Sequence, residues 1–106
     1  MKIRRLELIQ DSTLKYQDLV DLLLQGSASS DEILKAVRVT NELDAAVNAK
    51  NDPKRLDLDN ENYQFLLSRI DKTSWNSPGD KATRLALGKF ITTLRNLPEV
   101  DVQIPA

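Results

Sequence analysis

Residues Tyr63, Leu66, Leu67 and Ile70 fall at i, i+3, i+4 and i+7, directly behind Asp59, a residue type that caps helix N-termini. This stripe is the strongest constraint on the fold. It predicts a helix from Asn60 to about Asp71 with one continuous apolar face. Three other stretches show the same period. Leu19, Leu22 and Leu23 share a face between Asp11-Ser12-Thr13 and Gly26, with Val20 and Leu24 beside it. Gly26 suits the left-handed turn that ends a helix. Ser29 and Glu32 match the S-x-x-E capping box, which predicts a helix over 31–49. Its expected core stripe is Ile33, Val37 and Thr40, continued by Leu43, Ala46 and Val47. Asn51-Asp52-Pro53 ends it. Pro78 at a first helical position opens the last helix, expected to reach Asn96, with Leu87, Phe90, Ile91, Leu94 and Leu97 inward. Gly88 inside it implies a close approach by a neighbouring element.

Three short segments alternate instead. Leu6 and Leu8 are separated by Glu7, Leu56 and Leu58 by Asp57, and Val100, Val102 and Ile104 by Asp101 and Gln103. These are expected as short strands able to pair, although in residues 2–9 Ile3 and Leu6 also suit a helix start, so that strand and helix both stay open there. The predicted fold is therefore mainly α, four helices with a minor β component, an α+β arrangement being the alternative. Residues 1–106 are expected to form a single small domain, since 106 residues without a long linker match one core.

The chain has 15 basic and 16 acidic residues, no Cys and no His. Disulfides, Cys/His zinc sites, thiolate nucleophiles and imidazole acid–base chemistry are excluded by those absences. No apolar run approaches the roughly 20 residues of a membrane span. The opening Met1–Gln10 lacks the apolar core of a secretory signal. A cytoplasmic protein with no membrane partner is expected.

Candidate chemistry is sparse. Asp57, Asp59 and Glu61 fail the calcium-loop spacing, because position six is Asp57 when counted from Asp52 and Asn62 when counted from Asp57, where glycine is required. Capping accounts for these acids, and no metal is expected. With only Gly26, Gly79 and Gly88, no glycine-rich phosphate loop exists. No Ser-x-x-Lys motif is present. The expectation is a non-enzyme with no cofactor.

Two sets of residues remain as candidate contacts. Residues 81–98 carry Lys81, Arg84, Lys89 and Arg95 and no acid. Lys81, Arg84 and Arg95 lie broadly opposite the core stripe, Lys89 to one side. Such a face suits phosphates. Against this, the helix offers no Asn or Gln before Asn96 to read base edges, and the chain is slightly acidic overall. A solvated face is the preferred reading of these cations. The second set is aromatic. Trp75 stands in a polar loop, either closing the core edge or anchoring a partner. Phe65 points away from the Tyr63 stripe. With Leu24 and Val39 it implies a second buried surface, either a wider core or a subunit interface.

The run Leu56-Asp57-Leu58-Asp59-Asn60-Glu61-Asn62-Tyr63-Gln64-Phe65-Leu66 reads as strand, acidic cap and helix. The Trp75 loop, Phe90-Ile91-x-x-Leu94 and Leu97-Pro98-Glu99-Val100-Asp101-Val102 follow, and Met1-Lys2-Ile3 with Leu6 and Leu8 opens the chain. In this layout the chain resembles small uncharacterised accessory proteins of tailed phages and prophages. The resemblance covers most of the chain and carries no catalytic residue. It implies a small non-enzymatic accessory protein that works by binding other proteins. The expected function is a protein-interaction module, an accessory or assembly factor in a host cytoplasm or a virion, that self-associates, with Phe65 and Trp75 as its candidate contact residues. The alternative is a nucleic-acid-binding regulator using the basic helix 78–96.

Overall fold

The computed structural model describes residues 2–9, 14–26, 28–50, 54–73, 75 and 79–101. In chain order these form β1 (Lys2–Glu7), α1 (Tyr16–Leu23), α2 (Ser30–Asn48), β2 (Arg55–Leu58), α3 (Asn60–Lys72), α4 (Lys81–Arg95) and β3 (Glu99–Asp101). The fold is mainly α, with a small three-stranded antiparallel sheet in the order β2-β1-β3.

The register explains the sheet's two faces. Arg4 stands opposite Leu58, and Leu6 opposite Leu56. Residues directly opposite in an antiparallel pair share a face. Leu6, Leu56 and Leu58 are fully buried there against the helices. The intervening pairs, Arg5 with Asp57 and Glu7 with Arg55, take the other face. Arg5 Nε donates to Asp57 Oδ1 at 2.8 Å.

The core draws on six of the seven elements, β3 being the exception. Val20, Leu23, Val39, Leu66, Phe90 and Leu94 are fully buried with the sheet leucines. Each such side chain contributes roughly 1.5–3 kcal/mol through burial. Tyr16 meets the Phe90 ring edge-on at 5.0 Å, joining α1 to α4.

Local capping builds the N-termini. Ser29 and Glu32 form the reciprocal box on α2. Asp59 Oδ1 accepts from the Asn62 N–H at 2.7 Å. Asp80 Oδ2 accepts from the Thr83 N–H at 3.0 Å and its hydroxyl at 2.9 Å. The last helix therefore begins at Lys81 behind Asp80 rather than at Pro78, because the Asp80 carboxylate satisfies the orphan donors there. Pro78 itself lies outside the described residues, as do Asp11-Ser12-Thr13, Val102 and Ile104.

The C-termini of α1, α2 and α4 are closed from a distance. Arg69 donates to the Leu23 and Gln25 carbonyls behind α1. Lys54 Nζ donates to those of Val47 and Ala49 at the end of α2. The Tyr63 hydroxyl reaches Leu94 O at 2.8 Å and Arg95 O at 3.1 Å at the end of α4. Neither α1 nor α2 has a basic residue in its own last turn. These distant donors supply the compensation a local cation would give.

Three expectations about faces are corrected. The inward stripe of α2 is Val39, Leu43 and Ala46, while Ile33 and Val37 face solvent. The reason is that β2 and α3, packed against α2, meet the Val39 side. In α1 the buried set is Tyr16, Leu19, Val20 and Leu23, and Leu22 is exposed. Gly88 meets no close neighbour. A Cβ there has nothing within 4 Å, since the residue sits on the outward face of α4.

Candidate protein-interaction surface

The first half of α2 places three large apolar side chains in water. Ile33 is 54% exposed, Leu34 63% and Val37 50%. The other large apolar residues exposed among the described ones are Ile9, Leu22 and Leu85. Scattered single exposures are ordinary, whereas neighbours on one helix make a patch. Ile33 and Val37 are one turn apart and adjoin each other. Leu34 lies beside them, further from the core.

A groove of about 220 Å³ runs along this patch, where the end of α1, the first half of α2 and α3 meet. Leu24, Ile33, Ala36, Val37 and Phe65 give it apolar walls, and Asp21, Gln25, Glu32, Thr40 and Arg69 add polar atoms. The groove is rigidly framed. Arg69 is only 5% exposed. Its Nε lies 2.9 Å from Leu23 O and its Nη2 2.6 Å from Gln25 O. Its Nη1 lies 3.4 Å from Glu32 Oε2. One guanidinium thus links α3, the end of α1 and the first turn of α2. Its planar fork suits several acceptors at once.

Glu32 closes the frame. Its carboxylate accepts from the Ser29 N–H at 3.3 Å, the Ser29 hydroxyl at 3.2 Å and Lys72 Nζ at 3.4 Å. The Ser29 N–H above all holds the Glu32 carboxyl below the ordinary value of 4.5. Partial desolvation opposes this, and Lys72 and the Ser29 hydroxyl add to it. The Arg69 and Glu32 charges are therefore committed to structure, and Asp21 at the groove's edge accepts from Gln25 Nε2 at 3.2 Å.

The residues singled out from the sequence take different places. Phe65 is 6% exposed, packed in the core and lining the groove. Val39 is buried with it and Leu24 packs partly buried against the same cluster, which is the wider-core arrangement. Trp75 is half-buried against the core, its Nε1 donating to Ile70 O at 3.3 Å. Phe65 thus shares the groove with Ile33 and Val37, whereas Trp75 is not among the residues that line it. Lys81, Arg84, Lys89 and Arg95 are all exposed on α4. Arg95 Nη2 pairs with Asp71 Oδ1 at 3.0 Å, and the other three have no ion pair among the described residues. Leu85, 64% exposed, sits among these cations.

Sequence reasoning missed Ile33, Leu34 and Val37 as surface residues. A partial signal was present: Val39 with Leu43 and Ala46 gives an alternative apolar series on α2 at i, i+4 and i+7, although nothing local chooses between it and the series through Ile33 and Val37. One helix with two apolar series has more than one neighbour can cover.

Among the described residues, no group of His, Cys, Asp and Glu is placed to hold a metal ion, and no helix is long and apolar enough to cross a membrane. Compared with models of known protein families, with curated proteins and with solved structures, the chain matches none.

Proposed function

We propose that this chain is a non-catalytic protein-interaction module that self-associates through the outward face of α2. The observation that carries this reading is the cluster of Ile33, Leu34 and Val37 in water beside an apolar groove. Exposed apolar neighbours of this kind mark protein contacts. The frame around them is held by Arg69 and Glu32, so the surface is ready before a partner arrives and little ordering cost falls on association. The lack of His and Cys in the sequence supports a non-enzymatic role. The layout resemblance to phage and prophage accessory proteins supports service as an accessory or assembly factor.

A second reading, nucleic-acid binding, draws on α4, which presents Lys81, Arg84, Lys89 and Arg95 outward and carries no acid. Sedimentation velocity separates the two. The first reading expects a concentration-dependent oligomer that ignores short duplex DNA at low salt and is lost on Ile33→Ser with Val37→Ser. A monomer that co-sediments with DNA until salt is raised overturns it in favour of α4.

A further inference from the structure

We infer that the partner of the α2 face is α2 of a second copy, crossing it antiparallel about a two-fold axis near Leu34. This rests on the reading of α2 as the contact surface. The argument is the helix's own charge pattern. By the helical period, Leu34 lies between two edges of the outward face. Ile33 and Val37 form the apolar edge, and Asp31 and Arg38 the charged one. Asp31 and Arg38 are exposed, two turns apart on the same side. Arg38 also reaches Glu61 at 3.7 Å, an open surface pair of little strength that leaves it able to turn outward.

A two-fold axis perpendicular to the helix brings each edge against the same edge of the partner, reversed in direction. Asp31 then faces the partner's Arg38, and Arg38 the partner's Asp31. Ile33 faces the partner's Val37 and the reverse. The midpoint of Asp31 and Arg38 and the midpoint of Ile33 and Val37 coincide to within half a residue, less than about 1 Å along the helix. One axis therefore satisfies both edges. A parallel pairing sets the charged edge against the partner's apolar edge, leaving ions desolvated without partners. The pattern thus selects direction and register together.

One helix face on another is a small contact, in the class below roughly 1,200 Å² where pairing is weak. The test is sedimentation equilibrium to about 1 mM chain, where a Kd of that order shows. Arg38→Glu alone and Asp31→Lys alone are each expected to weaken the dimer about tenfold or more, and the two together to restore it, since the doubled exchange regains both pairs. In Leu34→Cys the introduced thiol is the only one in the chain. Near the axis it is expected to oxidise to a disulfide-linked dimer, and circular dichroism confirms that each variant folds. A dimer indifferent to both charge reversals, or one that forms no Leu34→Cys disulfide, overturns the antiparallel contact but leaves self-association standing. A monomer throughout the concentration range overturns self-association itself.

Discussion

The Arg69 guanidinium donates through Nε to the carbonyl oxygen of Leu23, 2.9 Å away, so a residue of α3 closes the C-terminus of α1. The same group reaches Gln25 O and the Glu32 carboxylate. Three helices are thereby held at one point, and that point frames the groove beside the exposed face of α2. The strength of this arrangement lies in the number of acceptors that one nearly buried cation satisfies.

Arg69→Met should therefore destabilise the fold by about 2–3 kcal/mol, because carbonyl oxygens lose charged donors that water replaces poorly. Arg69→Lys should recover little of it, since one ammonium cannot span acceptors arranged for a planar fork. Urea unfolding measures both. A midpoint within error of wild type for Arg69→Met would remove the guanidinium from any structural role.

Stability should fall on acidification through the carboxylates at helix N-termini. Glu32 is held below 4.5, chiefly by the Ser29 N–H, and Asp80 below 3.8, chiefly by the Thr83 N–H with its hydroxyl. A depressed folded value means that the unfolded chain binds more protons between the two values. The contribution is thus fully present above the ordinary values. It is lost as pH drops through them and on through the folded ones. Urea midpoints from pH 7 downward should decline in this window, less steeply in Glu32→Gln. Parallel curves for the two proteins would show that Glu32 is not among the groups responsible.

Gly26 and Gly88 should respond oppositely to alanine. Gly26 has a φ of +100°, and a Cβ there meets Arg69 Nη2 at 3.4 Å, so Gly26→Ala is expected to cost about 1 kcal/mol or more. Gly88 lies inside α4 with open space where a Cβ would stand, so Gly88→Ala should stabilise by roughly 0.5–1 kcal/mol through helix propensity. Thermal unfolding reads the two signs directly. A fall in Tm for Gly88→Ala would contradict the open geometry at that position.

Much of the fold was legible along the chain because its signals are local. Ser29 with Glu32 and Asp59 cap the helices they were expected to cap. The alternation of Leu56 and Leu58 marked β2, and the Tyr63 to Ile70 spacing marked α3. Ranges 2–7 and 55–58 did become strands of one sheet. The candidate surface was less legible. Ile33 and Val37 repeat at the helical period as core residues do, and nothing local distinguishes them from Val39 and Leu43.

By itself the sequence determined that α2 and α3 start behind Ser29 and Asp59, which residues share a helical face and which Cys- and His-based chemistries are missing, because capping, periodicity and composition act over a few residues. The tertiary structure alone decided how α2 is rotated. Val39 and Leu43 turned inward because β2 and α3 pack on that side. Arg69 and Glu32 then tie the helix's first turn to α3 and the end of α1, leaving Ile33, Leu34 and Val37 in water. Period specifies a face, and only the neighbours that pack against it specify whether that face is the core.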